Sequence, residues 1–131
     1  MAYLWVAIGG ALGSMARYGV SGVVASMSGG TFPYGTMLVN VTGAMIIGFL
    51  ATLSGPDSRF FVPAYARLLL MTGICGGYTT FSTFSLETSN LMRDGQWAAA
   101  LANAGFSVIL CLMGVWIGHV GALALDRLRG A

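Results

Sequence analysis

Apolar positions along the chain gather into four long blocks, separated by short stretches of glycine, proline and charge. The first block covers about residues 2–27 and stops at SMSGGTFP; the second covers 34–53 and stops at SGPDS. The third starts at Pro63, where proline suits the first turn of a helix, and runs to about 92 before RDGQ; the fourth covers about 98–125. Each block reaches the roughly 20 residues that a membrane-spanning helix requires. The pattern predicts an all-α integral membrane protein, a single transmembrane domain over 1–131 with four transmembrane helices. The start, MAYLWVAIGG, has neither a basic leader nor a small-residue cleavage site, so it is expected to be a retained first span.

The third block breaks the pattern. As one straight helix its thirty or so residues would measure roughly 45 Å, against a hydrocarbon core of about 30 Å. Near its midpoint lies GGYTTFSTFS, residues 76–85, with two adjacent glycines, three threonines and two serines. Adjacent glycines followed by Thr79 and Thr80 make a poor helix interior. The block therefore predicts two half-helices joined by a break at 76–80. Irregular backbone at that depth is tolerated only where protein buries it or a polar cavity receives it, and broken helices in transporters commonly carry ion sites. The small-residue pairs Gly9/Gly13 and Gly114/Gly118 have the four-residue spacing of close helix packing.

Composition confirms the environment and removes function classes. Of 131 residues, 56% are hydrophobic and 8% charged, with mean hydropathy +0.81; a soluble domain carries about a quarter charged residues. Lysine is absent, and the acids are Asp57, Glu87, Asp94 and Asp126. The net charge of +2 comes from scattered arginines, not from the clustered basic stripe that nucleic-acid binding needs. Cys75 and Cys111 lie in apolar surroundings without metal-ligand spacing and are expected to be free thiols. No nucleophile–base pair is spaced for catalysis, so an enzyme is not expected.

Polar residues inside the blocks carry the candidate chemistry. If helix resumes after Thr80, Phe81 and Phe84 share a face, Ser82 and Ser85 form an offset pair, and Thr79 and Thr83 stand four apart. Aromatic rims are electropositive and hydroxyls donate hydrogen bonds, so such a surface can replace the hydration shell of a small anion without a fixed positive charge. The competing reading makes the rings core and bonds the hydroxyls to carbonyls one turn back. Asn40 lies one turn after Thr36 on the second span, where its amide either offers donors to an anion or bridges helices; Asn103 and Ser107 are four apart on the fourth. Arg17 either sits at depth or snorkels. Glu87, on the face of Phe84, is an interfacial cap, a salt-bridge partner or a pore residue.

Three blocks of sequence resemble the signature segments of the Fluc (CrcB) fluoride channels: GGALGSMARY at 9–18, PYGTMLVNVTGAMIIGF at 33–49 and TGICGGYTTFSTFSLET at 72–88. The resemblance covers the whole chain in length and span count. It implies an antiparallel, dual-topology homodimer in a bacterial or archaeal plasma membrane, enclosing two pores that export fluoride passively. Carried over residue by residue, it makes Phe81 and Phe84 pore-lining rings, Asn40 the pore asparagine and Ser107 a pore serine, with Thr36 and Thr83 as further hydroxyls. It gives the carbonyls of Gly76 and Thr79 to a structural sodium ion on the dimer axis. Asn103 stands where some relatives have tyrosine, and Arg17 and Glu87 are vestibule or accessory candidates. An in-plane twofold axis would also bring two midplane breaks together, and paired carbonyls suit a hard cation.

Arginine placement is not decisive for orientation. One side carries Arg59, Arg127 and Arg129, with Arg67 a few residues into the third span; the other carries Arg93, and Arg17 if it snorkels. That is a modest bias where a dual-topology chain is expected to be near balance. The rival reading is a small proton-coupled multidrug exporter of the four-helix dimeric type. It needs a membrane-embedded carboxylate, for which Glu87 is the sole candidate within a span. A non-transporting membrane scaffold is a third, and has no use for the broken polar segment.

Overall fold

The computed structural model describes residues 1–56 and 58–128, all helix and connecting turns, with Asp57 and Arg129 outside the described residues. The elements are α1 (Ala2–Ser28), α2 (Tyr34–Leu53), α3 (Ala64–Arg67), a π-helical segment (Leu68–Cys75), α4 (Gly76–Tyr78), α5 (Phe81–Arg93) and α6 (Trp97–Leu128). From α3 to α4 the chain is one continuous half-helix, and α5 is the other half of the same span. α2 and α6 are each long and apolar enough to cross a bilayer. At 32 residues, α6 would measure about 48 Å, so it tilts or projects beyond the hydrocarbon.

Turn chemistry sets the connections. Gly29 ends α1 in the left-handed region, φ 71°, which glycine enters without a Cβ penalty. Gly95 does the same after α5 at φ 76°, and the amide of Gln96 returns to the Leu91 carbonyl at 2.8 Å. At the opposite face, Asp126 near the end of α6 accepts from the Arg59 amide at 3.0 Å and the Ser58 hydroxyl at 3.4 Å, which fixes the α2–α3 connection.

Glycine contacts assemble the helices into two tight pairs. α1 meets the first half-helix through Gly9 and Gly13 on one side and Gly73 and Gly77 on the other. A methyl group on Gly13 would collide with the Ile74 carbonyl, and one on Gly77 would lie 2.5 Å from the Gly10 carbonyl. α2 meets α6 through Gly48, Gly114 and Gly118; a methyl on Gly118 would collide with the Met45 carbonyl. Small residues permit this approach, and packing rather than water exclusion drives helix association in lipid. The rows Gly9/Gly13 and Gly114/Gly118 are therefore packing faces, as their spacing predicts.

The break is shorter than the sequence suggests. Gly76 is right-handed helical, φ −65° and ψ −36°, and helix continues through Tyr78. Only Thr79 (φ −81°, ψ 157°) and Thr80 (φ −151°, ψ 118°) are extended. The glycine at 77 is there because α1 lies against it, not because the backbone bends there. Eight residues immediately before it, Leu68–Cys75, wind as π-helix, a form usually confined to single turns at functional sites.

These contacts give the first prediction. Gly13→Ala must push a methyl into the Ile74 carbonyl and should cost about 1–3 kcal/mol or more, lowering the detergent melting temperature. Gly105→Ala, where nothing lies within 4 Å of the new methyl, should leave it unchanged or raise it. Equal melting of the two variants would show that the α1 contact is not tight.

Candidate functional site

At Thr79–Thr80 the helix abandons its hydrogen-bond ladder, and groups from three elements take up the loose ends. The Thr79 amide and hydroxyl both donate to the Cys75 carbonyl, each at 3.0 Å. Asn40, from α2, grips the backbone of Thr80 on both sides. Its Oδ1 accepts the Thr80 amide at 2.7 Å and its Nδ2 donates to the Thr80 carbonyl at 2.9 Å. Because the Thr80 amide turns to Asn40, the Gly76 carbonyl loses its helical partner. Thr80 Oγ1 then caps α5 by accepting the Thr83 amide at 3.2 Å, the usual N-cap contact. From α1, the Ser14 hydroxyl reaches the Gly77 carbonyl and Arg17 Nη1 reaches the Thr79 carbonyl, both at 3.4 Å. Arg17 thus turns inward to the break instead of snorkelling.

Two cavities meet at this point. A polar vestibule of about 880 Å³ opens by the 29–33 and 94–96 turns and descends along α1 and α5 to Thr80. From Asp94 to Thr80 is about 20 Å of helix rise. Arg17, Thr36, Thr83 and Glu87 all line it. The second cavity, a groove of about 430 Å³ between α2, α5 and α6, is lined by Asn40, Thr79, Phe81, Phe84 and Ser107, with Cys111 among its apolar neighbours. The rings of Phe81 and Phe84 stand 5.4 Å apart, tilted 44°. Phe81 is 78% exposed, so one wall of the groove is open.

The structure therefore divides the sequence candidates. Thr36 and Thr83 belong to the vestibule; Asn40, Phe81, Phe84 and Ser107 belong to the groove. Asn40 does not present both amide hydrogens to a ligand, because one is spent on Thr80. Asn103 lines neither cavity: it is 1% exposed, donates to Thr88 Oγ1 at 2.8 Å and accepts from Ser107 Oγ at 3.3 Å. Thr88 passes its own proton to the Phe84 carbonyl at 2.7 Å. Asn103 thus ties α6 to α5 beneath the phenylalanine ring and orients Ser107, and does not stand in for a ring in the groove. Glu87 accepts from Thr36 at 2.9 Å through Oε1, while its buried Oε2 has no hydrogen-bond partner.

One residue without a role in the sequence reading is Thr80, a threonine directly before the helix restart at Phe81, which is an N-cap position. A cation at the break would rely on backbone oxygen, since among the described residues no three His, Cys, Asp or Glu side chains come together. Gly76 and Thr79 fit that role in chemistry. Their carbonyls lie at the C-terminal, negative end of the first half-helix, and Gly76 is exposed.

Tightly packed apolar helices, one broken between a vestibule and a groove, define a small membrane protein with the architecture of an ion or solute pathway. The profile of the CrcB-like protein family, described as Camphor Resistance (CrcB), matches residues 4–119. The chain belongs to this family. It is 53% identical over 131 residues, the whole of both chains, to a protein of Methylocella silvestris named fluoride-specific ion channel FluC. Proteins of the same name from Opitutus terrae and Rhodospirillum rubrum are 54% and 53% identical, over 98% and 97% of this chain and 98% of each relative.

Asn40 offers a direct test of the break. Asn40→Leu leaves two buried backbone groups of Thr80 unpaired, at about 1–3 kcal/mol each. The Thr80 amide should then exchange its hydrogen far faster while amides in the middle of α6 hold their protection. Unchanged exchange at Thr80 would show that the amide clamp is dispensable.

Proposed function

We propose that this chain is a fluoride-selective channel, letting fluoride leave the cytoplasm passively, and that it is not an enzyme. The observation that carries the proposal is half identity, over essentially the full length, to relatives named fluoride-specific ion channels. The geometry supports it with a chemistry suited to that ion. Fluoride is small and strongly hydrated, so a pathway must replace water with close donors. The groove supplies the free amide hydrogen of Asn40 and the rims of Phe81 and Phe84, and the vestibule supplies the Thr83 hydroxyl; the Ser107 and Thr36 hydroxyls donate to Asn103 and Glu87 and would have to turn to reach the ion. Arg17 places a fixed positive charge on the vestibule wall, which offsets Glu87 and raises anion concentration there.

The working unit in this reading is an antiparallel homodimer in a prokaryotic plasma membrane. The open wall of the groove favours it, since the spare amide hydrogen of Asn40 facing lipid would be costly. A second copy covers the groove and brings two breaks together. There the carbonyls of Gly76 and Thr79 from both copies would hold a sodium ion, which neutralises the facing negative helix ends and locks the dimer. The Arg17 guanidinium on the Thr79 carbonyl leaves that oxygen's second lone pair for the cation. The exporter reading loses ground, because the relatives carry the channel name and Glu87 has no second acid beside it.

Liposomes containing the protein should release fluoride far faster than chloride, measured with ion-selective electrodes; equal release of both, or of neither, would overturn the function. Phe81→Ile and Phe84→Ile should cut fluoride release at least tenfold while leaving the dimer intact by size-exclusion chromatography. Full release from either would make that ring a packing residue. Anomalous scattering or ion substitution should detect a cation on the dimer axis, and a bare axis would rule out the sodium site.

A further inference from the structure

At the end of the molecule away from the vestibule mouth, the start of the third span holds another cavity, of about 690 Å³. It shares no lining residue with the vestibule or the groove. Phe61, Val62, Leu68 and Met71 give it apolar walls, and Arg67 and Thr72 are its polar groups. Arg67 is exposed and forms no ion pair or hydrogen bond among the described residues. Thr72 is exposed as well, and its hydroxyl is equally unbonded. By contrast, the hydroxyls of Thr42, Thr52, Thr79 and Thr88 each donate to a carbonyl four residues back, the ordinary outlet for a helical threonine. Thr72 belongs to the π-helical Leu68–Cys75, where the ladder closes on residues five apart. That winding brings Arg67 and Thr72, five apart, into one cavity; on an α-helix they would point about 140° apart.

The surroundings fix the level of this cavity relative to lipid. Trp5 and Tyr65 pack together at the same end, ring centroids 5.4 Å apart, and Tyr65 is half exposed. Amphipathic rings gather where headgroups meet hydrocarbon, so Arg67, two residues on, stands at headgroup level. Thr72 lies about 7 Å further along the helix, close to the roughly 5–8 Å of polar layer on each side of a bilayer. A molecule filling the cavity meets a cation at its outer end, a hydroxyl one polar layer deeper, and apolar walls beside both. An anion without a tail leaves those walls bare, and a hydrocarbon chain without an anion leaves Arg67 unpaired.

We infer that this cavity is a binding site for an anionic phospholipid. The phosphate lies on the Arg67 guanidinium, whose planar fork matches phosphate oxygens in pairs. The glycerol-ester oxygens accept from the Thr72 hydroxyl, and an acyl chain runs against Leu68, Met71 and the 91% exposed ring of Phe61. Basic pockets at the ends of spanning helices hold lipid headgroups in this way. The site needs only a membrane-embedded chain and is independent of the fluoride reading. Thr72 stands four residues before Gly76, so in the antiparallel dimer proposed above the lipids sit beside the seam, one in each leaflet.

Native mass spectrometry of the full chain in mild detergent, with phosphatidylglycerol or phosphatidylcholine added, reads this binding directly. Wild type should take up one phosphatidylglycerol per chain, at least tenfold more tightly than phosphatidylcholine. Arg67→Gln should weaken phosphatidylglycerol about 10- to 100-fold, the loss of a hydrogen bond to a charged group, and abolish the preference. Thr72→Val should weaken both lipids alike, about 2- to 10-fold, because both carry the ester, and keep the preference. If Arg67→Gln yields no folded protein, Arg67→Lys keeps the charge without the fork and should weaken phosphatidylglycerol severalfold. Arg59→Gln, at an exposed arginine outside the cavity, should bind as wild type does. Displacement of the lipid by millimolar glycerol 3-phosphate would make this a free-phosphate site and overturn the lipid assignment. A wild-type dimer that takes up no lipid would mean that the second copy fills the cavity, and overturns it too. So does a wild-type preference in Arg67→Gln, undiminished binding in Thr72→Val, or an equal loss in Arg59→Gln.

Discussion

Everything in this molecule turns on how a helix can be interrupted inside a membrane. Lipid offers no hydrogen bonds, so each backbone group released at Thr79–Thr80 must find a protein partner or cost several kcal/mol. Asn40 solves the largest part by binding the amide and the carbonyl of Thr80 together at 2.7 and 2.9 Å. A primary amide is the right side chain for this because it is donor and acceptor at once. The Thr80 hydroxyl caps the next half-helix, and Ser14 and Arg17 reach the carbonyls of the previous one. The break is over-determined from α1, α2 and its own side chains.

That requirement explains the glycines. Ser14 and Arg17 can reach the break only if α1 lies directly on the first half-helix, and Gly9, Gly13, Gly73 and Gly77 allow that approach. Asn40 is held at its height by the α2–α6 pair, itself closed on Gly48, Gly114 and Gly118. A methyl added at Gly43 of α2 would collide with the Thr79 side chain, so the α2 backbone also abuts the break. The two tight pairs meet at Thr80, and the cavities are what the junction leaves unfilled on either side.

Much of this was legible in the sequence, for reasons that also mark its limits. Apolar blocks and their punctuation located the helices, because a helix that crosses lipid has its length set by bilayer thickness. Overlength located the interruption, and three-residue spacing put Phe81 and Phe84 on one face. The position of the break within the polar run was not legible. Gly76-Gly77 has poor helix propensity, yet tertiary packing against Gly10 overrides it. The partner that bends the chain two residues later, Asn40, is forty positions away. The π-helical Leu68–Cys75 left no mark in LLLMTGIC that distinguishes it from ordinary apolar helix. From sequence Asn103 was a vestibule or accessory candidate, standing where some relatives have tyrosine; its burial beside Thr88 and Ser107 shows that its polarity is consumed internally.

In the dimer proposed above, one copy is an incomplete object. Its vestibule is walled by α1, α2 and α5, but its groove is a trough whose Phe81 wall stands open. That trough leaves the spare hydrogen of Asn40 and, nearby, the unladdered Gly76 carbonyl without a partner from this copy. Lipid cannot satisfy any of them. Water in the trough would satisfy them and would also destroy discrimination between anions, since a hydrated ion hides its size. In the proposed dimer a second copy would cover these groups, keep them dry and still allow them to serve an ion. Selectivity and assembly would then have one origin: the donors proposed to strip fluoride of water are groups that an uncovered chain would expose to the bilayer at high cost.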